Sequence, residues 1–95
     1  MPLLEPLDEP QLRSLCRAAI EQGEIRFTRH ARERMVERGL DEADIVNVLR
    51  GGFAGDIGHE NGSWRYELRT PRISVILILR SEISLTVITA GRSEP

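Results

Sequence analysis

The chain has 95 residues, enough for one small domain with a single hydrophobic core, and 40% of its residues are hydrophobic. Its formal net charge of −2 argues against a protein that coats nucleic acid non-specifically. All 13 basic residues are arginine, so lysine chemistry is excluded and anions must be bound by guanidinium groups. Cys16 is the one cysteine, which excludes an intrachain disulfide and a cysteine-based zinc site.

The hydropathy of the chain predicts neither an exported nor a membrane-spanning protein. The N-terminus is short and acidic and does not resemble a signal peptide. The longest apolar run, 75–79, is far too short to span a bilayer. We therefore expect a soluble, cytoplasmic protein in which residues 1–95 form one domain, with irregular ends at 1–7 and 92–95.

The first half of the chain predicts three helices, at residues 8–22, 28–39 and 41–50. Asp8 and Asp41 are N-cap residues that begin capping boxes at the first and third helices. Thr28 can cap the second helix, and Gly39 stands where a left-handed residue would end it. Cys16 lies on the apolar face of the first helix, so we expect a buried thiol and not a nucleophile.

Four strands are predicted after the third helix, at residues 53–60, 63–70, 73–79 and 83–90. Asn61 and Gly62 form a strong type I′ hairpin signal between the first two of them. The segment 24–27, before the second helix, is either a further short strand or an extended link. The expected fold is therefore α+β, with N-terminal helices packed on a four-stranded antiparallel meander.

The second predicted helix carries the residues that most suggest a function, because it holds a histidine and four arginines within ten residues. At about 100° per residue, His30, Arg34 and Arg38 lie on one stripe, beside the apolar Ala31 and Met35. A histidine and two arginines along the seam between helix and sheet suit a phosphate diester. The simpler interpretation is a solvated helix face with ion pairs between residues four apart.

One face of the predicted strand at 63–70 is charged, and its side chains are Arg65, Glu67 and Arg69. Two arginines that flank a glutamate are unusual for a core face, and the simpler interpretation is a solvent-exposed face with cross-strand ion pairs. We predict that this charged face meets His30 and Arg34 across the groove between helix and sheet. Together they would form a phosphate-sized pocket.

The predicted pocket suits RNA cleavage by attack of the ribose 2′-hydroxyl on the neighbouring phosphate. The reaction needs a group that takes the 2′-hydroxyl proton, cationic donors for the charge on the phosphate, and an acid for the 5′-oxygen. An imidazole titrates in the right range for either proton role. The predicted catalytic residues are His30, Arg34, Arg65, Tyr66 and Glu67. The predicted substrate-binding residues are Arg38, Trp64, Arg69 and Arg92.

Neither a metal ion nor a cofactor is predicted. His30 and Glu33 have the helical spacing of a metal-binding pair, but two ligands without a third make a weak site. The chain has no P-loop, no dinucleotide-binding glycine motif and no nucleophile elbow. His59 lies beside the predicted hairpin turn, where a polar histidine needs no functional explanation.

A longer motif runs through the second helix. It reads His30-Ala31-Arg32-Glu33-Arg34-Met35, then Arg38-Gly39-Leu40 and an acid-capped helix. The later Trp64-Arg65-Tyr66 and Leu85-Thr86-Val87-Ile88-Thr89 belong to the same pattern, which covers roughly residues 25–92. This pattern resembles small bacterial domains in or near the RelE/ParE-like toxin superfamily. It is similar in outline to the motility quorum-sensing regulator (MqsR) ribonuclease toxins.

The resemblance implies a RelE-like fold and the toxin of a bacterial type II toxin–antitoxin system, acting as a metal-independent endoribonuclease on messenger RNA. Its partners would be RNA and a cognate antitoxin protein, for example one with a zinc-finger domain. The site positions that the resemblance carries over are His30, Arg34, Arg65 and Arg69. The alternative is a non-catalytic regulatory module whose arginine-lined groove holds an acidic partner or an anion.

Overall fold

The computed structural model describes residues 3–93, which form three helices and one five-stranded sheet. The helices are α1 (Glu9–Glu21), α2 (Arg29–Arg38) and α3 (Glu42–Gly51). The strands are β1 (Glu24–Phe27), β2 (Phe53–Glu60), β3 (Ser63–Arg69), β4 (Ile73–Ser81) and β5 (Ser84–Arg92). Their order across the sheet is β1-β5-β4-β3-β2.

The sheet corrects the prediction of a four-stranded antiparallel meander. It is a mixed sheet of five strands within residues 3–93, because β1 joins its edge and pairs with β5 in parallel. In that pairing Glu24 lies opposite Ser84 and Phe27 lies opposite Val87. The α+β class is right, but the strand count and topology were wrong. Since β1 has four residues and its partner is the last strand of the chain, no local pattern reveals the pairing.

The caps and the hairpin turn predicted from the sequence are confirmed. Asp8 and Asp41 each form a complete capping box, at the starts of α1 and α3. The side chain of Thr28 caps α2, and Gly39, with a φ of 68°, ends that helix in the left-handed conformation. Asn61–Gly62 has positive φ at both residues, as a type I′ turn requires.

The core lies between one face of the sheet and the helices α1 and α3. The fully buried strand residues that form this core face are Tyr66, Leu68, Val75, Leu77, Leu85 and Val87. Cys16 of α1 packs into the same cluster, so the prediction of a buried thiol is confirmed. Burial raises the pKa of Cys16 to about 12, which keeps the thiol protonated and unreactive at neutral pH.

On the edge away from β4, the second half of β5 is flanked by a helix and not by a strand. β1 ends at Phe27, and the chain continues directly into α2, which packs along β5. Thr28 fixes this junction, because its backbone N–H and its hydroxyl donate hydrogen bonds to β5 carbonyls at 3.0 and 3.2 Å. Ala31 and Met35 are buried on the core side of α2. The opposite side of α2 therefore faces away from the core.

Residues 3–7 form neither a helix nor a strand, as predicted, whereas the irregular segment predicted at the other end begins one residue too early. Leu7 is buried in the core, and β5 continues to Arg92, two residues beyond the predicted strand end. Residues 94–95, which were predicted to be irregular, lie outside the described residues, as do residues 1–2. No helix within residues 3–93 combines the length and the apolar character needed to cross a membrane.

Gly23, between α1 and β1, occupies a position where no side chain fits. A Cβ there would overlap the backbone carbonyl of Ile83, and rotation of a side chain cannot move a backbone atom. We expect Gly23→Ala to lower the free energy of unfolding by roughly 1–3 kcal/mol in a denaturant titration. Gly58→Ala is the matched control, because no atom lies within 4 Å of its added Cβ. Equal stability of the two variants would contradict this packing argument.

Candidate functional site

A groove runs between α2 and the sheet face that α1 and α3 leave uncovered. We call it the α2 groove, and its volume is about 310 Å³. Its basic wall consists of His30, Arg34 and Arg38 from α2 and Arg92 from β5. Its remaining side chains include Ser74, Ile76 and Thr89 of β4 and β5. Every ionisable side chain that lines the α2 groove is therefore an arginine or a histidine.

A second cavity of about 280 Å³ lies on the same sheet face, beside β2 and β3. We call it the β-face pocket, and its charged residues are Asp56, Glu60, Arg65 and Glu67. Ile76 and Thr89 line both cavities, so the two adjoin. The structure thus places the His30 stripe and the Arg65/Glu67 face in neighbouring halves of one surface, one basic and the other mainly acidic.

The arginines of the α2 groove differ in how they are held. Arg34 forms an exposed ion pair with Glu37 at 3.2 Å, an interaction that contributes little in water. Arg92 donates a hydrogen bond of 2.8 Å to the backbone carbonyl of Arg38, which ties the end of α2 to β5. Within residues 3–93, the side chains of His30 and Arg38 have no hydrogen-bond or ion-pair partner. Both are exposed and can contact a ligand directly.

Glu67 lines the β-face pocket and is linked to the α2 groove by a hydrogen bond with Ser74. Its Oε1 accepts from the backbone N–H of Asp56 at 3.2 Å, and its Oε2 accepts from the Ser74 hydroxyl at 2.7 Å. A bulge in β2 makes room for the carboxylate at Gly55, where a Cβ would overlap it. Ser74 was missed in the sequence analysis, because a single serine after a turn carries no signal until its strand register is known.

Arg65 and Arg69 lie on the same face of β3, but their side chains have different surroundings. Arg65 lines the β-face pocket with its Nε 3.8 Å from Glu60 Oε2. That Nε is buried and has no hydrogen-bond partner within the described residues. Arg69 is exposed near the end of β3 and lines neither cavity. The structure therefore keeps Arg65 near the candidate site and leaves Arg69 outside it.

Tyr66 and Trp64 lie on the opposite, core face of β3. The Tyr66 hydroxyl donates to Glu5 Oε2 at 2.8 Å and accepts from the Leu7 backbone N–H at 3.0 Å. Because these two contacts hold it on the core face, the hydroxyl is not placed to carry a proton in the α2 groove. Burial also raises the pKa of Tyr66 to about 12. Trp64 packs against the core, with its ring edge-on to His59 at 4.8 Å. Base stacking on Trp64 is likewise not supported by its position.

Residues 27–92 match the sequence profile of a protein family described as a domain of unknown function, DUF4258, over more than half of the chain. The chain belongs to the DUF4258 family. The match includes α2 and every residue that lines the α2 groove, whereas α1 and the N-terminal segment lie outside it. No curated protein and no solved structure is significantly similar to the chain. The resemblance to RelE/ParE-like toxins therefore stays a prediction for this DUF4258 domain.

The metal-binding pair considered for the DUF4258 domain consists of His30 and Glu33. Glu33 accepts a hydrogen bond from Arg29 at 3.2 Å, on the exposed side of α2. Within residues 3–93, no three histidine, cysteine, aspartate or glutamate side chains are grouped so that they could hold a metal ion.

The buried Tyr66 hydroxyl leads to a prediction about stability at high pH. Its pKa is raised from an ordinary value of 10 to about 12, so its stabilising effect is complete below pH 10 and is lost as the pH rises towards 12. Burial of Cys16 acts in the same direction from about pH 9. We expect Tyr66→Phe to flatten the fall in unfolding free energy between about pH 10 and 12. At pH 7 the variant should lose about 1–3 kcal/mol, because it leaves buried polar groups unpaired.

Proposed function

We propose that this chain is a ribonuclease that binds an RNA phosphate in the α2 groove and cleaves the RNA by attack of the 2′-hydroxyl. The observation that supports an anion site is the basic wall of His30, Arg34, Arg38 and Arg92. Guanidinium groups bind phosphate oxygens through parallel, charge-assisted hydrogen bonds. A phosphodiester of RNA would also bring a ribose hydroxyl to the floor of this groove, where Ser74 and Thr89 carry hydroxyl groups.

In the proposed reaction, Arg34 and Arg38 hold the phosphate and His30 works as the general acid. Arg38 and His30 are exposed and unpaired within residues 3–93, so neither must break a contact to bind the phosphate. Positive charge beside the phosphate stabilises the negative charge that builds up on its oxygens as the 2′-oxygen attacks. The imidazolium of His30 then protonates the departing 5′-oxygen.

Glu67 is the general base of the proposed reaction. Its carboxylate is oriented by the Asp56 N–H and contacts Ser74 at 2.7 Å, and Ser74 lines the α2 groove. The 2′-hydroxyl proton passes to this carboxylate as the 2′-oxygen bonds to phosphorus and the bond to the 5′-oxygen breaks. The products are a 2′,3′-cyclic phosphate and a free 5′-hydroxyl. Arg65, in the β-face pocket beside Glu67, adds positive charge to this end of the site.

The biological setting of the proposal comes from the resemblance to RelE/ParE-like toxins. It comprises a bacterial cytoplasm, an RNA substrate and a cognate antitoxin protein that is made together with the toxin. A non-catalytic module that uses the same groove to hold an anion would share the binding step but not the cleavage. Binding and cleavage are therefore tested separately.

The binding step is tested with two arginine substitutions that remove the same charge. Arg38→Gln removes a groove guanidinium, whereas Arg50→Gln removes an exposed one near the end of α3 that lines neither cavity. We expect Arg38→Gln to weaken binding of inorganic phosphate about three- to tenfold in an NMR titration, because charge-assisted hydrogen bonds are lost. Arg50→Gln should change it less than about twofold, since it leaves the groove intact. Equal weakening by both would mean that phosphate binds through net charge alone.

The cleavage step is tested with purified protein and a single-stranded RNA of mixed sequence. The wild type should produce fragments that end in a 2′,3′-cyclic phosphate, and His30→Ala should cut the rate by about a hundredfold or more. His59→Ala is the control, because His59 is an exposed histidine beside the hairpin.

Induced expression in a bacterial host extends this cleavage test to living cells. Wild type and His59→Ala should arrest growth, while soluble His30→Ala should not. A wild type that binds phosphate but leaves RNA intact and growth normal would contradict the ribonuclease and favour the binding module.

A further inference from the structure

Ser74 occupies a position in the α2 groove that the proposed reaction does not explain by itself. It lies near the start of β4, half-buried, in the antiparallel register opposite Arg69. Its hydroxyl donates a hydrogen bond of 2.7 Å to Glu67 Oε2. Since Ser74 lines the α2 groove while Glu67 lines the β-face pocket, their contact crosses from one cavity to the other.

The contact with Glu67 fixes the chemical character of the Ser74 hydroxyl. A hydroxyl has one proton to donate and two lone pairs that accept. The proton of Ser74 is directed to Glu67, and the carboxylate is itself held by the Asp56 N–H and seated over Gly55. The oxygen of Ser74 is thus available to the groove as an acceptor.

The other polar groups of the α2 groove make this acceptor distinctive. The guanidinium groups of Arg34, Arg38 and Arg92 can only donate hydrogen bonds. Thr89 also has a hydroxyl, but within residues 3–93 no partner fixes its direction. A ligand that fits this arrangement carries an acceptor-rich anion next to a hydrogen-bond donor.

We propose that Ser74, oriented by Glu67, accepts a hydrogen bond from the ribose 2′-hydroxyl and thereby selects RNA over DNA. The inference rests on the proposed function and names the part of the nucleotide that the groove distinguishes. The 2′-hydroxyl lies on the carbon next to the one that carries the 3′-phosphate, so a phosphate held by the arginines brings it to the groove floor. A 2′-deoxyribose offers no donor there and leaves the Ser74 oxygen unpaired.

The same contact gives the 2′-hydroxyl proton its route in the proposed reaction. The proton moves to Ser74 Oγ while the Ser74 proton moves to Glu67 Oε2, so the serine is unchanged and the carboxylate becomes protonated. The freed 2′-oxygen forms the new bond to phosphorus. Ser74 is then both a specificity contact and the relay to the general base.

The test compares the affinities of uridine 3′-monophosphate and 2′-deoxyuridine 3′-monophosphate, which have no 5′-linked leaving group and are not cleaved. In NMR titrations the ribonucleotide should bind the wild type about two- to tenfold more tightly, the effect of one hydrogen bond. Ser74→Ala should bring the affinity ratio to about one. Ser74→Thr, which keeps the hydroxyl, and Thr89→Val, which removes the other groove hydroxyl, should preserve it.

Two controls separate this inference from the proposed function. Inorganic phosphate should bind wild type and Ser74→Ala equally, because the arginines are unchanged. Ser74→Cys, nearly isosteric but with a weak sulfur acceptor, should also lose the discrimination, and it serves as the test if Ser74→Ala fails to fold.

The outcomes are distinguishable. Equal affinity of the wild type for both nucleotides, or an unchanged ratio in Ser74→Ala, overturns the role of Ser74 while the anion site stands. Loss of the ratio in Thr89→Val alone moves the contact to Thr89 and also overturns the inference. If the wild type binds neither phosphate nor nucleotide in the α2 groove, the proposed function fails and this inference fails with it.

Discussion

The seating of α2 against the second half of β5 is the constraint on which the candidate site depends. Thr28 makes it possible, because its backbone and hydroxyl both bond to β5 where the pairing with β1 stops. Once Ala31 and Met35 are buried, the helical period places His30 and its stripe on the neighbouring flank of α2, facing the sheet. Burial of this apolar pair is therefore sufficient to place the three basic residues of α2 along the groove.

The net charge of the chain conceals a sharp local separation. The α2 groove carries only basic ionisable groups, and the adjoining β-face pocket carries Asp56, Glu60 and Glu67 beside Arg65. Carboxylates repel a second phosphate, so this surface suits one phosphate at a defined position better than an extended run of them. A weakly acidic protein can therefore hold a phosphodiester at one point without coating nucleic acid.

Local features of this fold could be predicted from the sequence, and features that need two distant segments could not. Helical spacing alone placed His30 and Arg34 on one stripe, because the period of a helix is fixed within a few residues. The parallel pairing of β1 depends on β5, at the far end of the chain, and the contact of Glu67 with Ser74 depends on strand register. Tyr66 was assigned a proton role from its chemistry, whereas its hydroxyl is committed to the N-terminal segment.

The bulge in β2 links the rim of the sheet to the chemistry of the groove. β2 is the edge strand, and the irregularity that seats Glu67 over Gly55 also aims the Asp56 N–H at its carboxylate. Another chain that added a regular strand to this edge would favour a straight β2 and withdraw that N–H. Glu67 would lose one of its two anchors, and the Ser74 hydroxyl would regain its freedom to rotate. A strand bound at the outer edge of β2 would then change the orientation of Ser74 in the α2 groove, although no ligand enters the groove.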